Sequence, residues 1–142
     1  MNKLRHLSIA LAVLALASCS SKPSYPEATV KGEEVWFSIN TLEEGTPVFR
    51  SLEYEGTKID YIVIKTDSGV ESYLDACAKC YPRKKGYRAD GDYLVCVACG
   101  KRYPITKLTG IGSCYPLPLK GNIEGDSYII EKMELIKGKK YF

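Results

Sequence analysis

Five cysteines carry the chemistry of this chain. Cys77 and Cys80 form one Cys-x-x-Cys pair and Cys96 and Cys99 a second, with fifteen residues between the pairs and another fourteen before Cys114. A Cys-x-x-Cys turn directs two sulfurs at one point. Two such turns joined by a hairpin can bring four thiolates around one centre, and this spacing falls in the range of four-cysteine metal sites. Gly100, directly after Cys99, suits a metal knuckle that turns through positive φ. Cys77, Cys80, Cys96 and Cys99 are therefore the candidate metal ligands. Four sulfurs in a tetrahedron suit zinc or an iron–sulfur centre, and spacing alone does not separate them. Cys114 lies in a Gly- and Pro-rich stretch, Gly110 to Leu119, read as a loop without regular structure. It could replace one of the four ligands, stand behind them as a further thiol, or be a buried spare. Beside a metal, such a loop would form a rigid wall with N–H groups facing sulfur.

Two other chemistries compete for the same thiols. Exported proteins usually pair their cysteines as disulfides, but five leave one over, and adjacent Cys-x-x-Cys pairs close only tiny loops. A thiol–disulfide exchange site would need a strand–helix unit that lowers one thiol pKa, and nothing near either pair reads as one. Much else is excluded. The single histidine, His6, lies in a leader expected to be removed, which leaves no Ser-His or Cys-His nucleophile pair, no His-ligated haem or Rieske centre and no His-built copper or zinc site. Met133 is then the one remaining Met, so a Met-rich copper site has no ligands. No phosphate-binding loop is present either.

The leader is residues 1–18. Lys3 and Arg5 precede an apolar run from Leu7 to Ala17, the pattern of an export signal and shorter than the ~20 residues a membrane-spanning helix needs. Leu16-Ala17-Ser18-Cys19 resembles a bacterial lipobox, with Cys19 the lipidated residue at the mature N-terminus. Residues 19–26, polar and carrying Pro23 and Pro26, read as an extended tether. A single domain is expected over 27–142.

The elements that must position the thiols are mostly strands. Val35–Ile39 is a compact apolar strand. Pro47–Tyr54 alternates, with Val48, Arg50, Leu52 and Tyr54 on one face. Lys58–Lys65 is a strongly β-branched run, Asp67-Ser68-Gly69 is a turn, and Val70–Leu74 is a further short strand. Gly86–Arg88 and Tyr93–Cys96 flank Asp90-Gly91 as a hairpin. Ser127–Glu131 and Met133–Ile136 close the chain as strands. Glu71–Cys80 is the one stretch that could form a short helix. The fold class is thus mostly β, with seven or eight short strands, a two-knuckle hairpin carrying the thiols, and little helix.

Composition agrees with one folded domain: 142 residues, 45% hydrophobic and 26% charged, large enough for a core. A formal charge of +3 is too near balance for a nucleic-acid binder. Removal of the leader takes Lys3 and Arg5 but no acid, leaving 18 bases against 17 acids. The distribution is uneven: residues 27–75 hold eleven acids and four bases, whereas 79–107 hold eight bases and two acids. That is either an ordinary solvated surface or positive charge that offsets thiolates or docks an acidic partner. Of eleven Tyr, six (Tyr73, Tyr81, Tyr87, Tyr93, Tyr103, Tyr115) lie near the cysteines in sequence. They either fill half-exposed strand positions or shield the thiols from water.

The run Leu74-Asp75-Ala76-Cys77-Ala78-Lys79-Cys80, then Gly86-Tyr87, Cys96-Val97-Ala98-Cys99-Gly100 and Cys114-Tyr115-Pro116-Leu117-Pro118 resembles the FtrD-like membrane iron–sulfur proteins. Their pattern is Asp-x-Cys-x-x-Cys, Gly-Tyr, Cys-x-x-Cys-Gly and Gly-Gly-Cys-Asn-Pro-x-Pro, and the match covers about residues 58–120. Ser113 and Tyr115 depart from it where the family has Gly and Asn, and the family's multi-span membrane part has no counterpart here. The resemblance implies an iron–sulfur cluster as cofactor, bound by Cys77, Cys80, Cys96 and Cys99, with Cys114 at the motif's remaining Cys position. It further implies an electron carrier, not an enzyme with its own substrate, that accompanies an iron-uptake permease or another redox partner in the cell envelope. Membrane attachment would come from the lipid on Cys19. A zinc-ribbon binding module and a thiol–disulfide exchange protein are the alternatives.

Overall fold

A computed structural model describes residues 21–108 and 113–142. The leader, Cys19 and residues 110–112 of the Cys114 loop lie outside the described residues. The strands are β1 (Val30–Lys31), β2 (Glu34–Ser38), β3 (Val48–Tyr54), β4 (Thr57–Thr66), β5 (Gly69–Cys77), β6 (Tyr87–Asp90), β7 (Tyr93–Cys96), β8 (Arg102–Pro104), β9 (Pro116–Leu119), β10 (Asn122–Glu124) and β11 (Ser127–Glu131), followed by helix α1 (Lys132–Lys137). They form three sheets, ordered β1-β2-β11-β10, β3-β4-β5-β9 and β6-β7-β8, with every strand pair antiparallel.

β4 explains how the sheets stack. Successive side chains of a strand face opposite ways. Ile59, Tyr61 and Val63 enter one core with Val35, Phe37, Tyr128, Ile130 and Leu135. Ile62 and Ile64 enter a second core with Tyr73, Tyr87, Leu94 and Tyr103. The β3–β4–β5 sheet is thus covered on both faces, which is why Tyr61 to Ile64 of β4 read as a continuous apolar run. Cys77, Cys96 and Cys114 belong to the second core, between this sheet and β6–β8, Cys80 packs against it, and Cys99 lies at its exposed edge.

The mostly β class of the sequence reading holds, with eleven strands among the described residues. Three local expectations do not. Glu71–Cys80 is no helix: β5 runs through to Cys77, paired with β4 and β9, and Ser72 to Cys77 are all buried. Helix-compatible residues such as Leu74 and Ala76 go extended because two flanking strands supply their backbone partners, a tertiary override of local preference. Met133–Ile136 is not a strand but lies in α1, which turns one apolar residue, Leu135, into the first core and leaves Met133 exposed. The loop after Cys114 contains β9, whose Pro116 and Pro118 are tolerated because β9 is an edge strand and needs no N–H on its open side.

Candidate metal centre

Three pieces of chain deliver the thiols. The first is the end of β5. Its pairing with β9 slips between Leu74 and Cys77, a bulge that bends the strand where its chemistry begins. Cys77 then pairs with Pro116, and the Ala78 N–H donates to the Tyr115 carbonyl at 3.0 Å. That registers Cys114, two residues before Pro116, against the first pair. The second piece is the knuckle after β7, where the Cys96 N–H donates to the Lys101 carbonyl at 2.9 Å and the Gly100 N–H to the Cys96 carbonyl at 2.8 Å. The turn closes through Gly100 at φ +74°, as the sequence requires. The third is the Cys114 loop, held by the buried Tyr87 hydroxyl donating to the Cys114 carbonyl at 2.6 Å. Arg83 ties the two knuckles together, its guanidinium donating to the Ala98 carbonyl at 3.2 Å.

All five sulfurs meet. Cys77, Cys80 and Cys96 lie within 4.8 Å of one another, as do Cys80, Cys99 and Cys114. Cys80 Sγ and Cys114 Sγ are 3.6 Å apart, far beyond an S–S bond of ~2.05 Å, and all five thiols are free. Cys77, Cys96 and Cys114 are buried, Cys80 is half-buried and Cys99 is exposed. The cluster therefore reaches solvent at Cys99, beside the exposed bases Lys79, Arg83 and Lys101.

Electrostatics separates the thiols. Burial pulls Cys77 upward, yet the N–H groups of Cys80 and Lys79 and the Tyr87 hydroxyl outweigh it and hold the thiol below its ordinary range. Desolvation likewise opposes ionisation of Cys99, but the Lys101 N–H and the thiols of Cys114, Cys96 and Cys80 bring it down to about 7. Desolvation dominates at Cys80, raised to about 11, and at Cys96 and Cys114, each raised to about 12. Without metal the cluster thus spreads little negative charge over many sulfurs. A bound cation would ionise the rest, since a coordinating thiol loses its proton outright.

Buried Tyr73, Tyr87 and Tyr103 share the cluster's core, whereas Tyr81 and Tyr93 are exposed. Of the six tyrosines near the thiols, these three shield, exposed Tyr81 and Tyr93 do not, and Tyr115 is half-buried outside that core. Replacing Tyr87 by Phe should cost about 1–2 kcal/mol by leaving the buried Cys114 carbonyl unpartnered, measured by urea denaturation. The variant's Cys114 thiol should also react faster with an alkylating reagent.

Lys22, Asp60 and Ser51 have roles here that no motif announces, and they explain two residues that the motif does contain, Asp75 and Gly86. Asp75 is fully buried and its carboxylate accepts the Tyr87 N–H at 2.6 Å. The approach is possible because Gly86 has no side chain there, which gives the Asp75 and Gly86-Tyr87 parts of the motif one shared physical cause. Lys22 Nζ stands 2.7 Å from Asp75 and 2.8 Å from Asp60, and Ser51 donates to Asp60. Burial pushes Asp75 up to about 6 against the downward pull of Lys22. For Lys22 and Asp60 the sequence signal is the pair of acids inside the otherwise apolar runs of β4 and β5, which demand a buried cation.

The donor set fits a soft metal centre: five sulfurs, a largely apolar and aromatic surround, and N–H groups aimed at sulfur, such as Cys80 N–H to Cys77 Sγ at 3.1 Å. Fold and site together define a β-rich thiol-cluster domain. Over residues 48–142 the chain matches the family described as "Membrane iron-sulfur containing protein FtrD-like". It belongs to that family of FtrD-like membrane iron–sulfur proteins. No curated protein matches it. Among the described residues no helix is long and apolar enough to cross a membrane.

Proposed function

We propose that this chain is an exported, lipid-anchored iron–sulfur protein that carries electrons for bacterial iron uptake. The observation that carries the reading is the convergence of five free thiols on one place in a family described as iron–sulfur containing. Cys77, Cys80, Cys96 and Cys99 would hold the cluster, with Cys114 beside them, and Cys19 would carry the lipid. The bound cluster would supply one-electron chemistry. The chain's own residues do the rest. Tyr73, Tyr87 and Tyr103 keep water from the inner thiols, the Cys80 and Lys101 N–H groups stabilise charge on sulfur, and exposed Cys99 among Lys79, Arg83 and Lys101 offers an edge where an acidic partner would dock. Iron-uptake permeases enter through the family resemblance.

The test is anaerobic purification of residues 20–142 followed by absorbance and elemental analysis. A brown protein carrying iron and inorganic sulfide supports the carrier. A colourless protein with stoichiometric zinc would turn the two knuckles into a structural ribbon, and a metal-free protein that reversibly oxidises one Cys pair would make it a thiol-exchange protein. Cys96→Ser and Cys99→Ser should each lose at least half of the bound metal by the same analysis. Full retention in both would overturn the ligand assignment. Lipidation of Cys19 predicts a diacylglyceryl mass at the N-terminus of the chain isolated from membranes.

A further inference from the structure

The five sulfurs are not arranged as four around a point with one to spare. They form two triangles, Cys77–Cys80–Cys96 and Cys80–Cys99–Cys114, each with all sulfurs within 4.8 Å, and Cys80 is a corner of both. Four thiolates on one tetrahedral ion would stand about 3.8 Å apart in every pair, given metal–sulfur bonds of ~2.3 Å. Here Cys99 forms a close triplet with Cys80 and Cys114, and no such triplet joins it to Cys77 or Cys96. Cys114 is also placed as firmly as the others: its carbonyl takes the Tyr87 hydroxyl, its neighbour Tyr115 takes the Ala78 N–H, and its sulfur lies 3.6 Å from Cys80 Sγ.

We propose that the centre has two metal positions, one in each triangle, with the Cys80 sulfur shared between them and Cys114 a ligand of the second. The inference rests on the reading of the cluster as a metal centre. The ligands are thiophilic ions, and with three protein sulfurs per position each tetrahedral ion keeps one place for a non-protein donor such as inorganic sulfide. The positions are unequal. The first has buried Cys77 and Cys96, and the second opens to solvent at Cys99, so the second ion exchanges with a chelator first.

The experiment titrates cobalt(II) into the full-length chain in detergent, freed of metal and kept without oxygen, and follows thiolate-to-cobalt absorbance and the cobalt EPR signal. Two ions per chain are expected, the EPR signal of the first falling as the second couples to it through Cys80. Cys114→Ser should bind one ion and Cys77→Ser one, while Cys80→Ser should show no coupling between whatever ions it retains. Saturation of the unaltered chain at one ion, with Cys114→Ser binding equally well, overturns the two-position centre and leaves a four-cysteine metal site standing. Two ions without coupling overturn the shared sulfur. No cobalt bound at all, in a chain that also carries no metal as isolated, overturns the metal reading itself. The stoichiometry of the unaltered chain decides the question even if a serine variant fails to fold.

Discussion

Replacing Lys22 by Met should destabilise the fold by about 3–5 kcal/mol at pH 8, the range for removing one partner of a buried ion pair. Its ammonium is the shared counter-ion of Asp60 and Asp75 and also donates to the Asp75 carbonyl at 3.2 Å. The side chains of Lys22, Asp60 and Asp75 are 15%, 12% and 0% exposed, so water does not replace what is removed. The sign of the pH dependence follows from Asp75. Burial already lifts its folded pKa to about 6, above the ordinary 3.8, and Lys22 is the largest influence holding it down. A carboxyl raised in the folded state gives stability that is complete below its unfolded pKa and is lost as pH rises through the folded one. Without Lys22 the folded value climbs further, so the deficit should be largest near pH 8 and shrink toward pH 5. Urea denaturation at both pH values, with all proteins in the same metal state, reads this directly. Adding Asp75→Asn to Lys22→Met should restore part of the loss at pH 8, because one buried charge disappears. A deficit under about 1 kcal/mol at pH 8 would mean that water reaches the carboxylates and the pairing is of the surface kind.

Lys22 also marks the boundary of what the sequence could reveal. The two knuckles were readable because each is local: a Cys-x-x-Cys turn fixes its own geometry, and Gly100 announces the positive φ it needs. β4 was readable because both its faces are buried, so nearly all of its central positions take an apolar or β-branched residue, Asp60 excepted. Lys22 and Asp75 are 53 residues apart, and no period or spacing links a lysine in a polar N-terminal segment to an acid in a strand. By composition that segment reads as a tether; in the structure Lys22 ion-pairs with the domain and Tyr25 stacks on Phe49 with ring centroids 4.9 Å apart. The misread elements share one cause. The conformation of β5, β9 and α1 is set by what lies beside them, namely two flanking strands, an open sheet edge and one pocket for Leu135. Cys114 was visible as a residue, but its partnership with Cys80 and Cys99 depends on the β5–β9 register, which nothing local specifies.

Gly86→Ala should cost about 3 kcal/mol and lower the metal content as well. Two terms add. Gly86 sits at φ +62°, where an L side chain costs about 1–2 kcal/mol. The added Cβ would stand 2.6 Å from both Asp75 carboxylate oxygens and 2.7 Å from the carboxyl carbon. Asp75 cannot swing aside cheaply, since Lys22 holds one oxygen and the Tyr87 N–H the other, and breaking that buried hydrogen bond costs about 1–3 kcal/mol. Gly100 is the contrast. It shares the left-handed conformation at φ +74°, but a Cβ there meets nothing within 4 Å, so Gly100→Ala should cost the backbone strain alone. The reach of Gly86 into the centre comes through Tyr87, which pairs with Cys96 across β6–β7 and holds the Cys114 carbonyl. A shift of Tyr87 therefore moves a thiol of each triangle. The check is a double-mutant cycle by urea denaturation with Asp75→Ala. If the clash is the cause, Gly86→Ala costs clearly less once the carboxylate is gone, a coupling of 1 kcal/mol or more. Additive losses would put the effect in the backbone alone. Metal content that stays full in Gly86→Ala would separate the Asp75 network from the thiols it stands beside.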